Sequence, residues 1–278
     1  MDETSTNAST GSTRFAFGRN WRNYLKTIDE DKIRQAQNSL RAMLRVSTLE
    51  GKTFLDAGSG SGIFSLAARK MGAKVSSFDY DPLSVGCAVS LKEAHCKDDD
   101  GWTIQRGDVL DKNWLSALGR FDVVYSWGVL HHTGNLYGAL ENICGTVKDD
   151  GLLFIAIYND QGLQSSLWKA VKYTYNKLPP ALRGILLGLA LARIWGPTVC
   201  RDMLKFSPLC TWQRYSTERG MSPWHDVLDW VGGYPFEVAS MDAIIGFMDK
   251  RGFALSNLKS AFGGYGCNEF VFHKTAGR

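Results

Sequence analysis

Three kinds of residue in this sequence could do chemistry together: glycines that let backbone amides approach a ligand, carboxylates placed to take hydroxyl groups, and a pair of histidines. The glycines lie in Asp56-Ala57-Gly58-Ser59-Gly60-Ser61-Gly62, where alternate positions admit positive φ and close backbone approach. Apolar residues precede this turn, and Ser65-Leu66-Ala67-Ala68 follow it with helical character. The turn therefore joins a strand to a helix N-terminus, whose N–H groups and dipole can meet a polar ligand. Asp79 closes a second strand, 74–78, about twenty residues further on, where a nucleotide-binding βαβ unit carries the carboxylate for ribose hydroxyls. His131 and His132 follow a strand at 121–127. An imidazole with an ordinary pKa of about 6.5 can accept a proton at neutral pH.

The glycine spacing distinguishes between nucleotides. Counted from Gly58, a dinucleotide fingerprint requires a small residue at position 63, and the residue there is Ile63. That argues against a nicotinamide dinucleotide.

Alternating strands and helices must hold these residues in place. Strands are predicted at 53–55, 74–78, 102–105, 121–127 and 152–158, with helices over 65–71, 83–94 and 136–147 between them. This alternation implies a mostly parallel sheet covered on both faces. Residues 159–234 break the rhythm, being helical in character and punctuated by Pro179, Pro180, Pro197, Pro208 and Pro223. The alternation resumes with a helix at 240–251, a strand at 253–260, a glycine turn at 263–264 and a last strand at 268–273. Such an ending inserts the last strand antiparallel.

Composition narrows the function classes. The 278 residues are 44% apolar and 22% charged, as in a globular chain with a large core, and the net charge of +4 is too mild to require nucleic acid. Six scattered cysteines form no C-x-x-C pair and suit buried thiols in a reducing cytoplasm. No His, Asp or Glu cluster has metal-ligand spacing, so no metal is expected. Residues 1–13 are polar, read as a disordered tail, and carry no signal peptide pattern. The longest apolar run, 184–196, contains Arg193 and falls short of the roughly 20 residues that span a bilayer, so no transmembrane helix is expected.

The glycine motif, taken with the acids after successive strands, resembles the class I S-adenosylmethionine (SAM) dependent methyltransferases. The resemblance extends over 50–158 and 240–274, and within the family it is to the small-molecule and ubiquinone-pathway O-methyltransferase type. It implies a Rossmann-like α/β sheet, mostly parallel with the last strand antiparallel, an N-terminal helical segment and a helical insertion after strand five. It implies that Asp56, Gly58, Ser59 and Gly60 surround the methionine part of SAM and that Asp79 takes the ribose hydroxyls. Tyr80 would pack on the adenine, Asp108 and the Val109 amide would read its edge, and Trp127 would border the sulfonium. His132 matches a histidine that the family carries in a Glu-His pair, here His131-His132, and so becomes the leading base for a hydroxyl acceptor. Read locally, Asp56 could instead cap a turn, Asp108 could N-cap a short helix, Asp79 could open the turn at 79–82, and the histidines could cap the helix that follows.

Candidate acceptor contacts come from outside the sheet. Trp21 and Tyr24 lie in a predicted helical lid at 14–45, Tyr158 ends strand five, and Trp224, His225, Asp226 and Tyr234 cluster within the insertion. His225 is a further candidate for proton transfer; equally, these aromatics could staple a loop over the sheet edge. The expected organisation is thus a core at 46–158 and 236–278, with an insertion at 159–235 as substrate lid. Within it, 161–220 carries Lys169, Lys172, Lys177, Arg183, Arg193, Arg201, Lys205, Arg214 and Arg219 against Asp202 and Glu218, which suits either a solvated lid or a peripheral membrane contact. The expected activity is cytoplasmic transfer of a methyl group from SAM to a small molecule, at oxygen in preference to nitrogen. The alternatives are a lipid-linked, quinone or glycan acceptor at a membrane surface, an NAD-dependent oxidoreductase, and a non-catalytic SAM-binding module. Oligomeric state is left open.

Overall fold

The computed structural model describes residues 18–25, 27–219, 223–264 and 266–275; the tail expected at 1–13 and the start of the expected lid lie outside the described residues. The chain opens with α1 (Gly18–Leu25) and α2 (Glu30–Leu44). Ile33, Ala36, Leu40, Met43 and Leu44 recur at helical spacing on α2 and are buried as one face. Asp29 caps that helix by accepting the Lys32 N–H at 2.8 Å, a bond whose loss typically costs about 1 kcal/mol. Arg45 stops it by turning left-handed at φ 56°.

The core then alternates β1 (Thr53–Ala57), α3 (Ile63–Lys70), β2 (Lys74–Asp79), α4 (Pro82–His95), β3 (Trp102–Arg106), α5 (Lys112–Ala117) and β4 (Phe121–Trp127). A short 3₁₀ turn, Leu130–His132, leads to α6 (Leu136–Cys144) and β5 (Val147–Tyr158). The insertion contributes α7 (Leu163–Lys177), α8 (Pro180–Leu204), α9 (Cys210–Arg219) and α10 (Pro223–Gly232) before α11 (Met241–Asp249), β6 (Phe253–Lys259) and β7 (Cys267–Lys274).

The seven strands form one sheet in the order β3-β2-β1-β4-β5-β7-β6. β1 to β5 run parallel, and β7 runs antiparallel to both of its neighbours. Successive residues of a strand face opposite sides, which divides the core in two. Phe54, Val75, Val123 and Phe154 pack with α2, α3 and α4, while Leu55, Phe78, Val124 and Ile155 pack with α6 and α11. The strand order reverses between β1 and β4, and the crevice at their carboxyl ends is where ligands bind in such sheets.

Two elements differ from the sequence expectation. The fifth strand begins at Val147, five residues before the strand expected at 152–158. The reason is local: Lys148 Nζ reaches Asp122 at 2.8 Å, and Asp122 also accepts the Thr53 N–H and hydroxyl, holding the segment to β4 and β1. The apolar run 184–196 lies within the 25-residue α8, which by length and composition alone is apolar enough to cross a membrane. Its Leu187, Ala190 and Trp195 are instead buried with Trp168, Tyr175, Val227 and Phe236 in a core belonging to the insertion.

Candidate active site

The glycine loop hangs from β2. Gly58 N–H and Ser59 N–H both donate to the Phe78 carbonyl, at 2.8 and 3.0 Å. Gly58 has φ +83°, and a Cβ there would fall 2.4 Å from Val129, so the segment after β4 closes directly on the loop. Gly60 has φ +53° and donates its N–H to Asp79 Oδ2 at 2.9 Å. A Cβ on Gly60 would meet the Trp21 indole at 2.9 Å. α1 therefore lies over the loop, fixed there by the Gly18 N–H donating to Asp81 Oδ2 at 2.9 Å, with Tyr24 edge-on to Trp21.

The remaining acids have partners within the chain. Asp79 Oδ1 accepts the Asp81 N–H at 2.9 Å. Asp56 is 1% exposed and accepts the Ser65 hydroxyl at 2.6 Å, which fastens β1 to α3. Burial, above all, pushes its carboxyl up to about 7, and the nearby Asp79 charge adds to the effect. Asp108 accepts the Leu110 N–H at 2.9 Å and so forms a turn, beside the buried Val109. Tyr80 and Trp127 are both 45% exposed, with the Arg106 guanidinium 5.8 Å from the Tyr80 ring. Ser59 Oγ is buried and has no hydrogen-bond partner among the described residues.

At the end of β4 the two histidines meet strand five and the insertion. The His131 and His132 ring centroids are 4.6 Å apart, and the Tyr158 ring lies 4.0 Å from His131. Burial, followed by the neighbouring His132 and Lys172, holds the His131 imidazole well below its ordinary pKa, so the ring is neutral. His132 Nδ1 lies 2.6 Å from the carbonyl oxygen of Pro235. A carbonyl can only accept, so Nδ1 carries the proton and the lone pair of the neutral ring is at Nε2. Glu237 reinforces the arrangement: its N–H donates to the His131 carbonyl at 3.0 Å, and its carboxylate accepts the Leu136 N–H at 3.1 Å.

The structure thus brings Gly58, Ser59, Gly60, Asp79 and Trp21 together, and likewise His131, His132 and Tyr158. Asp226 is engaged elsewhere, accepting the Tyr215 hydroxyl at 2.6 Å between α9 and α10. Tyr234 packs against Tyr173 at 5.5 Å, and Trp224 is 42% exposed. The His225 side chain lies outside the described residues. Sequence reasoning gave no individual site role to Pro235, Glu237, Trp230, Phe236 or, above all, Lys172. That lysine is fully buried, donates to the Trp230 carbonyl, and sits 4.1 Å from the Trp230 ring and 4.6 Å from that of Phe236. The signal was present in the spacing: Trp168, Lys172 and Tyr175 share one face of α7, and the face is buried.

A family profile described as a methyltransferase domain matches residues 29–183, more than half of the chain. The chain belongs to this methyltransferase family. The methyltransferase resembles the ubiquinone biosynthesis O-methyltransferase of Methylobacterium nodulans, at 31% identity over 111 residues, 40% of this chain and 43% of that protein. Matches to the first such curated relatives span 43% to 55% of their length. The crystal structure of magnesium protoporphyrin IX methyltransferase from Synechocystis PCC 6803 with bound S-adenosylhomocysteine aligns with a TM-score of 0.54 and 14% identity, covering 93% of this chain and 94% of that one. An N-methyltransferase from Bradyrhizobium japonicum aligns at 0.50 and 13%, covering 93% and 98%. These two structures carry the likeness of fold.

The glycine loop fits S-adenosylmethionine, the molecule that its motif implies. The unpartnered Ser59 hydroxyl lies in the loop itself, and Gly58 and Gly60 leave no room for a Cβ between loop, Val129 and Trp21. The Asp79 carboxylate stands at the end of β2, beside the loop.

Proposed function

We propose that this methyltransferase acts on a hydroxyl oxygen of a small-molecule acceptor, with His132 as the base. The observation that carries this reading is the bond from His132 Nδ1 to the Pro235 carbonyl, which leaves the basic electron pair at Nε2. When bound, SAM supplies a methyl carbon whose bond to sulfur breaks as the new bond to oxygen forms, and sulfur leaves as a neutral thioether. The chain's own part is to align and to move one proton. Asp79 takes the ribose hydroxyls, and the Ser59 hydroxyl takes the amino acid end. His132 Nε2 receives the hydroxyl proton. His131, kept neutral by burial, places no positive charge beside the imidazolium that forms. Tyr158, Trp230 and Phe236, whose rings lie 5.3 to 6.0 Å apart, give the histidine side of the site aromatic walls. The names of the curated relatives favour oxygen over nitrogen.

The test is to incubate the protein with isotopically labelled SAM and a metabolite extract, then to identify the labelled product. A methyl ether is the expected result, and its formation should fall sharply in His132→Ala. A labelled N-methyl product, or a His132→Ala enzyme as fast as the parent, overturns the reading.

A further inference from the structure

α8 leaves bare a face that soluble helices cover. Its inward residues Leu187, Ala190 and Trp195 are buried in the insertion core. Its outward residues Leu182, Ile185, Leu189, Ala192, Cys200 and Met203 are all exposed, at 65% for Ile185 and Leu189 and 61% for Met203. They recur at intervals of three, four or eight residues and so form one stripe about six turns long, roughly 30 Å. Gly188 and Gly196 fall on the same side, so no charged side chain interrupts it, and Arg193 lies at its edge. Leu204 at the helix end and Phe206 beyond it, 81% and 95% exposed, extend the apolar surface. A patch of this extent marks an interaction site.

The charges around the stripe identify its partner. In 161–213 the exposed charged residues are Lys169, Lys177, Arg193, Arg201 and Lys205, all cationic. Asp202, the acid of that stretch, is buried and accepts from the Thr211 N–H and hydroxyl at 2.9 and 2.8 Å. A second copy meeting this face about a twofold axis would set cations against cations. An anionic lipid surface matches both features, with headgroups for the basic side chains and an acyl boundary for the stripe. We propose that α8 lies in the plane of an anionic membrane and docks the methyltransferase there by its outward face. Its inward face stays in the insertion core. Because α7 of the same insertion carries Lys172 against Trp230 and thus reaches the aromatic wall of the site, docking would set the histidine side near the lipid boundary.

The experiment floats the full chain with vesicles of phosphatidylcholine alone, or mixed with phosphatidylglycerol, at low and high salt and with no acceptor present. Flotation is expected with the anionic vesicles only, and salt should release the protein. The variant Lys169→Gln, Lys177→Gln and Lys205→Gln should bind about fivefold more weakly per lysine removed. The variant Ile185→Glu with Leu189→Glu should lose flotation while keeping the parent's SAM affinity by calorimetry. The proposal is overturned if anionic vesicles float the chain no better than neutral ones. It is equally overturned if light scattering shows the lipid-free parent to be a stable dimer that the Ile185→Glu, Leu189→Glu variant dissociates, since the face then belongs to a second copy. If the glutamate variant loses SAM binding, the lysine variant still decides: undiminished flotation overturns the proposal, and a stepwise loss supports it.

Discussion

The Gly60 N–H donates to the Asp79 carboxylate at 2.9 Å, so one side chain links the end of β2 to the glycine loop. Asp79 thereby shapes the loop, and in the proposed function it also takes the ribose. Two substitutions separate these roles. Asp79→Ala removes both and should weaken SAM binding by about ten- to hundredfold, the cost of losing charge-assisted hydrogen bonds. Asp79→Asn keeps an oxygen that can accept from Gly60 and should lie between. Titration calorimetry checks both; an alanine variant with the parent's affinity would remove Asp79 from the cofactor site.

For His132 the expected effect is on rate. His132→Ala should lower kcat by about 10² to 10⁴ with SAM affinity unchanged, the range typical of losing a general base. His132→Asn keeps a donor for the Pro235 carbonyl, which lies 2.6 Å from the native Nδ1. It should restore stability but not turnover. Recovery of rate in the asparagine variant would mean that the ring serves only to hold the backbone.

The sheet was legible in the sequence because its signals are local. Apolar strands such as 53–55 and 121–127, the glycine turn and the acids at the ends of the first three strands are each read within a few residues, and each acid falls at a carboxyl end. Capping residues such as Asp29, Asp81 and Ser240 accept from amides two or three residues on, so helix starts could be placed closely. The insertion was less legible because its core is assembled from residues far apart in the chain. Lys172 and Trp230 are separated by 58 positions, and a lysine among eight other basic residues reads as surface unless its helical phase is followed. Asp226 shows the converse: an acid in an aromatic cluster suggested acceptor binding, and its partner is the Tyr215 hydroxyl.

Asp56 and His131 give stability two opposed dependences on pH. Asp56 is raised from 3.8 to about 7 in the folded chain. Its contribution is therefore fully present below the unfolded value and is lost as pH rises through that window, because the folded state keeps a proton that the unfolded state has released. His131 is lowered from 6.5, so its contribution is present above the unfolded value and is lost as pH falls below it. Where the windows overlap, below pH 6.5, the two slopes oppose each other. Asp56→Asn keeps an acceptor for the Ser65 hydroxyl and removes the first slope. Its stability by urea unfolding should fall towards acid more steeply than the parent's, by up to about 1.4 kcal/mol per pH unit. Identical slopes in variant and parent would show that the Asp56 carboxyl is ionised across the range.

Lys172 tests whether the insertion and the histidines act as one unit. Its Nζ donates to the Trp230 carbonyl and lies over Trp230 and Phe236, which flank Tyr158, and Tyr158 stacks on His131. Lys172→Ala leaves a cavity and an unmet carbonyl, and should cost about 2 to 4 kcal/mol in urea unfolding. Lys172→Met fills most of the volume without the charge and should cost less. The methionine variant also carries an electrostatic prediction with a definite sign. The Lys172 charge is one of the causes that lower the His131 pKa, behind burial and His132, so removing it should move the His131 titration upward while burial still keeps it below 6.5. NMR titration of the His131 imidazole in parent and variant measures this directly. An upward shift, with SAM affinity unchanged, shows that the charge on α7 reaches the end of β4. An unmoved titration would mean that the aromatic wall screens the histidines from the insertion and that Lys172 serves packing alone.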